Sequence, residues 1–339
     1  MRKLVAGGLG AVFLVLSTLA APAPFTHTAS AAETCLPTGY NGLSAAVVNP
    51  TSTVSGAVDA TGCDIGVYVN QGTGSVKKAD VFGARQFGVL VNGDMNSVSV
   101  DITDSTIRQI GDVPFNGNQR GIAVYYRAFL TGSARGKITG NTISQYQKGG
   151  IVANGRGTDV SITGNTVTGL GPVSFIAQNG IQIGYGADAS VMRNTVSENS
   201  YTGVSTVSGG IIVVGGPGYG TCPDGAPCAY TVGTQIVDNT VTNNDIGIYL
   251  TNLDSSFNAP STATNVNVVN NTVSSSALQN NYGGSGYQAG IADVGNNDKL
   301  INNKISGAGY DPAANLPAYT VKIDADTSFT NRPKVHANK

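Results

Sequence analysis

Apolar residues in this chain recur at every second position within short segments, and the segments themselves recur. The phrase Asn-Thr-Val, or a near variant, stands at Asn141, Asn165, Asn194, Asn239, Asn271 and Asn303. Aligned on it, the chain gives a column that begins with Ala79 and Ser105 and continues through those asparagines. Three positions earlier the column reads Val76, Ile102, Ile138, Ile162, Val191, Ile236, Val268 and Leu300; two positions later it reads Val81, Ile107, Ile143, Val167, Val196, Val241, Val273 and Ile305. Every flanking place is aliphatic and most are β-branched, which predicts strands with one buried face. A second strand follows a glycine, as in Gly66-Val67-Tyr68-Val69, Gly88-Val89-Leu90-Val91, Gly121-Ile122-Ala123-Val124, Gly180-Ile181-Gln182-Ile183 and Gly247-Ile248-Tyr249-Leu250. The first and third residues after each glycine are expected to point inward.

A unit recurring every roughly 24 to 45 residues marks a stacked-repeat architecture. Short strands, coil upon coil, describe an all-β fold: a single-stranded parallel β-helix, or solenoid, of about 8–10 coils with lateral loop insertions. Each buried Val, Ile or Leu contributes roughly 1.5–3 kcal/mol, but only when neighbouring coils cover it. The Asn column is expected at a tight bend, because Asn tolerates left-handed backbone angles and bonds neighbouring backbone groups. Its stacked amides, from Asn141 to Asn303, should form a structural ladder. Thr142, Thr166, Thr195, Thr240 and Thr272 should form an outward column beside it.

Composition supports this reading. The 339 residues include 46 Gly and no Trp, and 12% are charged, which suits many turns between short strands. A net charge of −1 gives no basic surface for nucleic acid. Arg2 and Lys3 followed by the apolar run from Leu4 to Ala20 and by Ala29-Ser30-Ala31 read as a secretory signal over residues 1–31. A cap segment is expected over 32–54, the β-helix over 55–325 and a tail over 326–339. No later stretch is apolar enough to span a membrane. Four cysteines in an exported chain suggest two disulfides, with three possible connectivities. Cys222 and Cys228 share one Gly/Pro loop and are expected to pair, leaving Cys35 for Cys63.

These columns, with segments such as Tyr146-Gln147-Lys148-Gly149-Gly150-Ile151 and Ala177-Gln178-Asn179-Gly180-Ile181, resemble the secreted right-handed parallel β-helix repeat proteins of the pectate-lyase-like superfold. The resemblance runs from about Ser55 to Ile323 and is to a recurrent bacterial subgroup. It implies right-handed coiling, an extracellular location and a carbohydrate partner, without naming a reaction. The signatures of pectate lyases, polygalacturonases and mannuronan epimerases are not evident.

Chemistry is expected where loops interrupt the repeat. One set precedes the Gly strand: Gly111 to Gln119, Gly171 to Gln178, Ala277 to Gln288 and Ala308 to Ala318. A second set follows it: Gly215 to Thr234 and Asn252 to Thr264. Together they should wall a groove over the Gly-strand sheet. Arg85, Tyr125, Tyr146, Gln178, Asn179, Gln182, Tyr201 and Tyr249 are the expected substrate contacts, since aromatic rings offer flat faces to sugars. Arg85, Arg120 and Lys148 fall in one column before the Gly strand; they would suit an acidic glycan, or would be solvated cations with partners such as Asp112. Glu198 and Asp245 are the candidate carboxylate pair, against an ordinary turn reading. Lys148, Arg120 or a tyrosine could abstract a proton beside a neutralised carboxylate. With only His27 and His336, serine triads and histidine metal sites lack a partner. No cofactor is called for; Ca²⁺ is the one candidate metal, at Asp324 and Asp326. The expected function is therefore a polysaccharide lyase or glycoside hydrolase acting in the groove. The alternative is a non-catalytic glycan-binding or surface protein.

Overall fold

A computed structural model describes residues 34–325 and 334–339. The expected signal segment 1–31 lies outside them. The chain winds as a right-handed parallel β-helix built from an 11-stranded and a 17-stranded sheet. The 11-stranded sheet stacks the Gly strands, among them Ile122–Arg127, Gly149–Asn154, Asn179–Gly184, Gly209–Gly215, Ile246–Asn252, Tyr287–Asp293 and Tyr319–Ala325. The other sheet takes two pieces from most coils, broken at the Asn column, as with Thr158–Thr163 and Thr166–Val173. Both aliphatic columns stack in register: Ile138, Ile162 and Val191 before the asparagines, and Ile143, Val167 and Val196 after them. The Thr column pairs across coils and faces solvent.

The ladder forms coil after coil. Each asparagine oxygen accepts the main-chain N–H and the side-chain amide of its predecessor, at 2.9–3.0 Å from Asn141–Asn165 through Asn271–Asn303. Each amide nitrogen also donates to a core-strand carbonyl, as Asn194 does to Ile162. Ser105 stands in the same place and takes the Ala79 N–H. One expectation is corrected. The left-handed angle belongs to the residue before each ladder position: Asp104 before Ser105, and Gly140, Gly164, Arg193, Asp238, Asn270 and Asn302 before the asparagines. The asparagine is therefore selected for its side chain and not for its backbone.

Both ends reach further than the repeat suggested. Ser44–Val48 pairs with Ile65–Val69 as an early rung, tied down by the Cys35–Cys63 disulfide. Lys334–His336 pairs with Lys299–Ile301, and Asn338 caps the ladder by accepting from Asn303 at 2.8 and 2.9 Å.

The glycine column is a packing requirement. A Cβ on Gly210 would lie 2.7 Å from both the Gly247 carbonyl oxygen and Val241 Cγ1. The backbone of the next coil and the side chain of Val241 leave no room for a side chain there. Gly121 departs from this column. Ile122 pairs with Phe87 and Gly149, so Ala123 takes the glycine place. Val124 faces inward as expected and Tyr126 joins it, whereas Ile122 faces out, against the sequence expectation. The Tyr126 hydroxyl donates to the Val100 carbonyl at 2.6 Å inside the core.

Candidate functional site

Outward residues of the 11-stranded sheet form a face that the loop insertions flank and cover, and from Tyr68 to Ala292 they are buried. One column runs Tyr68, Leu90, Tyr125, Val152, Gln182, Ile212, Tyr249, Ala292 and Asp324. The insertions stack into walls. On the side before the Gly strand, the 111–119 loop meets the 171–178 loop, with the place of a Gly117 Cβ 3.0 Å from the Phe175 carbonyl oxygen. Further along, the Gly283 N–H donates to the Val204 carbonyl. On the other side, Gly218 donates to the Leu253 carbonyl, and the Asn296 amide to Pro260 and Ser261. The Cys222–Cys228 disulfide closes the tip of the first of these far-side loops.

A buried polar column pins the loop necks. Gln178 takes the Leu170 N–H at 2.8 Å and donates to the Tyr146 carbonyl. Gln288 does the same between Gln279 and Ala277, and Lys148 Nζ donates to the Ala177 carbonyl at 2.8 Å. Asp245 accepts from the Ser200 hydroxyl and from the N–H groups of Tyr201 and Ser208. Gln147, one residue earlier in its coil, binds Asp112, Asn116 and Asn118 of the first wall loop.

This arrangement separates the residues singled out from sequence. Tyr125, Asn179, Gln182 and Tyr249 do stand on this outward face, but each is buried beneath the insertions; Gln182 joins Asn179 and Asn154 through side-chain bonds of 3.3 Å. Tyr201 sits half-buried where a strand enters the wall. Tyr146 and Gln178 are corrected. Tyr146 is 0% exposed, its hydroxyl 2.6 Å from Asn199 Oδ1 in the core, and Gln178 is spent on its loop neck. Neither presents a face to a ligand. A second, short ladder, Tyr146 to Asn199 to Asn244, thus runs through the interior, with the Tyr310 hydroxyl reaching the Asn244 carbonyl.

The three stacked cations are separately answered. Arg85 pairs with Asp64 and Arg120 with Asp112. Burial works against the Asp64 carboxylate, yet hydrogen bonds from Ser44 and Arg85 hold it below its usual range. Among the described residues no carboxylate pairs with Lys148, which is 6% exposed, and burial lowers its ammonium to about 8. Glu198 accepts from Asn243 at 2.8 Å, whereas Asp245 is sealed from solvent, so the two carboxylates answer different partners. Asp326 lies outside the described residues, and among those described no group of three or more His, Cys, Asp or Glu is placed to hold a metal.

Two features escaped the sequence reading. Arg127, on the same face beside Asn92 and Asn154, pairs with Asp94 at 2.7 Å and lies over the Tyr40 and Phe129 rings. Aromatic contacts then continue along this face: Tyr40 with Tyr68, Phe87 with Tyr125, Phe129 with Tyr185, Tyr185 with Tyr219, and Tyr287 with both Tyr282 and Tyr319. The signal was present as outward parity, since Arg127 lies two residues after Tyr125; the shifted Gly121 phrase concealed it.

These features define a parallel β-helix protein whose outward Gly-strand face is flanked by stacked loops and carries a run of aromatic contacts. No family model matches the chain, and no curated protein matches it. Among solved structures it is similar to the Dettilon tailspike protein gp208, at 15% identity and a TM-score of 0.45, over 86% of this chain and 61% of that one. It is similar to the tailspike protein gp49 of Acinetobacter baumannii bacteriophage Fri1, a capsular polysaccharide depolymerase, at 12% identity and 0.36, over 76% and 42%. It is also similar to the A-module of the Azotobacter vinelandii mannuronan C-5 epimerase AlgE4, at 13% and 0.34, over 84% and 89%. The chain thus spans 61% and 42% of the two tailspikes' length. At these identities the likeness concerns fold alone.

Proposed function

We propose that the protein binds an extracellular glycan lengthwise along the groove over the Gly-strand sheet. The carrying observation is the run of aromatic contacts from Tyr40 to Tyr319 along this face, in which Tyr319 is exposed and Tyr40, Phe87, Tyr219, Tyr282 and Tyr287 are half-buried. Ring faces suit the apolar faces of sugars. The two disulfides fit an oxidising, extracellular setting. Binding is measured on a broad oligosaccharide panel, with Tyr219→Ala and Phe87→Ala as probes of half-buried rings. Each variant should weaken binding about fivefold or more with its melting temperature retained. Folded protein that retains no glycan would end this reading.

One observation favours a catalytic reading as well. Lys148 is a buried amine without a carboxylate partner among the described residues, at the foot of a groove wall, with its ammonium lowered to about 8. A neutral amine can act as the base of a lyase. Turnover would then rise with pH through about 8, release unsaturated ends and vanish in Lys148→Met. Binding without unsaturated or reducing ends leaves Lys148 as a pin for its loop.

A further inference from the structure

The net charge of −1 conceals a local excess of cations on the 17-stranded sheet, away from the Gly-strand face. Lys299 and Lys334 lie directly opposite one another on adjacent strands of this sheet. Lys304 follows Thr272 in the outward threonine column, and Lys339 follows Lys304. Each donates its main-chain N–H to the ladder asparagine one coil back, Lys304 to Asn271 and Lys339 to Asn303, as Thr272 does to Asn239. Adjacent coils lie about 4.8 Å apart, so the four lysines form two stacked pairs, one on each side of the asparagine bend. All four are exposed. Among the described residues none of them makes an ion pair.

The columns set this patch apart. Ahead of Lys299 the same places hold Ser190, Gln235 and Asn267, and ahead of Lys304 they hold Thr195, Thr240 and Thr272. Both columns turn from neutral to cationic at one coil. Like charges opposite one another on paired strands are destabilising, and here they stand twice with no acid to answer them. Lysine on an exposed edge guards a sheet against edge-to-edge pairing, which accounts for Lys334 and Lys339. It does not account for Lys299 and Lys304, whose strands are covered on both sides. A polyanion laid over the patch would relieve both pairs. Lysine ammonium groups act as point charges, which suits a densely charged chain. Beside them Asn267, Thr272 and Ser274 offer amides and hydroxyls to a sugar chain, whereas none of these strands carries a Phe, Tyr or Trp on which a nucleic-acid base could stack.

We infer that Lys299, Lys304, Lys334 and Lys339 form a docking surface for an anionic polysaccharide, one bearing closely spaced sulfate or carboxylate groups. The surface lies on a different sheet from the glycan face proposed above and does not depend on it. The test measures binding of the full chain to dextran sulfate, polygalacturonate, uncharged dextran, duplex DNA and phosphatidylserine vesicles. At least one of the two anionic polysaccharides should bind, more tightly than dextran, DNA or vesicles. Its affinity should fall at least about tenfold between about 50 and about 200 mM salt. Lys299→Gln, Lys304→Gln, Lys334→Gln and Lys339→Gln combined should weaken it at least about tenfold with the melting temperature retained. The same four changed to Arg, which keep the charge, should stay within about threefold of the parent. Lys137→Gln, at an exposed lysine in the Lys299 column coils away, should bind as the parent does. Parent-like affinity in the four-Gln variant, or a loss as large in Lys137→Gln, overturns the inference. So does tighter binding of dextran, DNA or vesicles than of both anionic polysaccharides, or retention of neither polysaccharide by the folded chain.

Discussion

The carboxyl of Asp245 accepts the Ser200 hydroxyl at 2.6 Å and the N–H groups of Ser208 and Tyr201 at 2.8 and 3.0 Å, with no exposure to solvent. Burial pushes its proton affinity up, to about 7, against the pull of those hydrogen bonds. Between the ordinary carboxylate range and about 7, the folded chain holds a proton that the unfolded chain has lost. Stability contributed by this group is therefore full at low pH, falls as pH rises through that window, and is level above it. Asp298, raised by burial to about 6 and hydrogen-bonded to Asp293, adds a slope of the same sign. In Asp245→Asn the amide oxygen can keep both N–H groups and the amide nitrogen can donate to Ser200. Urea unfolding at pH 4.5 and 7.5 should show a loss of stability with pH that is smaller in Asp245→Asn than in the parent by about 2–4 kcal/mol. Equal losses in the two proteins would show that Asp245 is charged throughout.

At the scale of a strand and its bend, the asparagine ladder sets the cost of errors. Asn194→Ala removes the acceptor for Asn165 and the donor to the Ile162 carbonyl. The loss should be about 2–4 kcal/mol, against under about 0.5 kcal/mol for its exposed neighbour in Thr195→Ala, both read from denaturant midpoints. Gly210→Ala forces a Cβ against Val241 and the Gly247 carbonyl and should cost about 1–3 kcal/mol. Ladder, aliphatic columns and glycine column were legible in the sequence because each recurs with one side chain at one spacing. The inner ladder was not. Its place, five residues after the column asparagine, holds Tyr146, Asn199 and Asn244 in some coils but Ile110 and Leu170 in others. The loop necks were missed for a related reason: Lys148, Gln178, Asp245 and Gln288 do one job with different chemistry. A column that is uniform only in function leaves no repeat to read.

Over the whole molecule, the disulfides serve different ends. Cys35–Cys63 joins residues 28 apart and fixes the first rungs, so the Cys35→Ser/Cys63→Ser double variant should lose about 2–4 kcal/mol and expose the N-terminal amides to hydrogen exchange. Cys222–Cys228 spans 6 residues at a wall tip. Its removal should leave those N-terminal amides protected, as hydrogen exchange on the same protein would show. The ladder has a consequence for how such a molecule can diversify. The step from Asn141 to Asn165 uses 24 residues and that from Asn194 to Asn239 uses 45, yet the bonds across them measure 3.0 and 2.9 Å. Surplus chain is thus expelled into lateral loops without disturbing the phase of the winding, and doubling a flexible loop costs only about 0.6 kcal/mol. Selection, or an engineer, can rewrite the lateral loops coil by coil while the thread pitch stays constant.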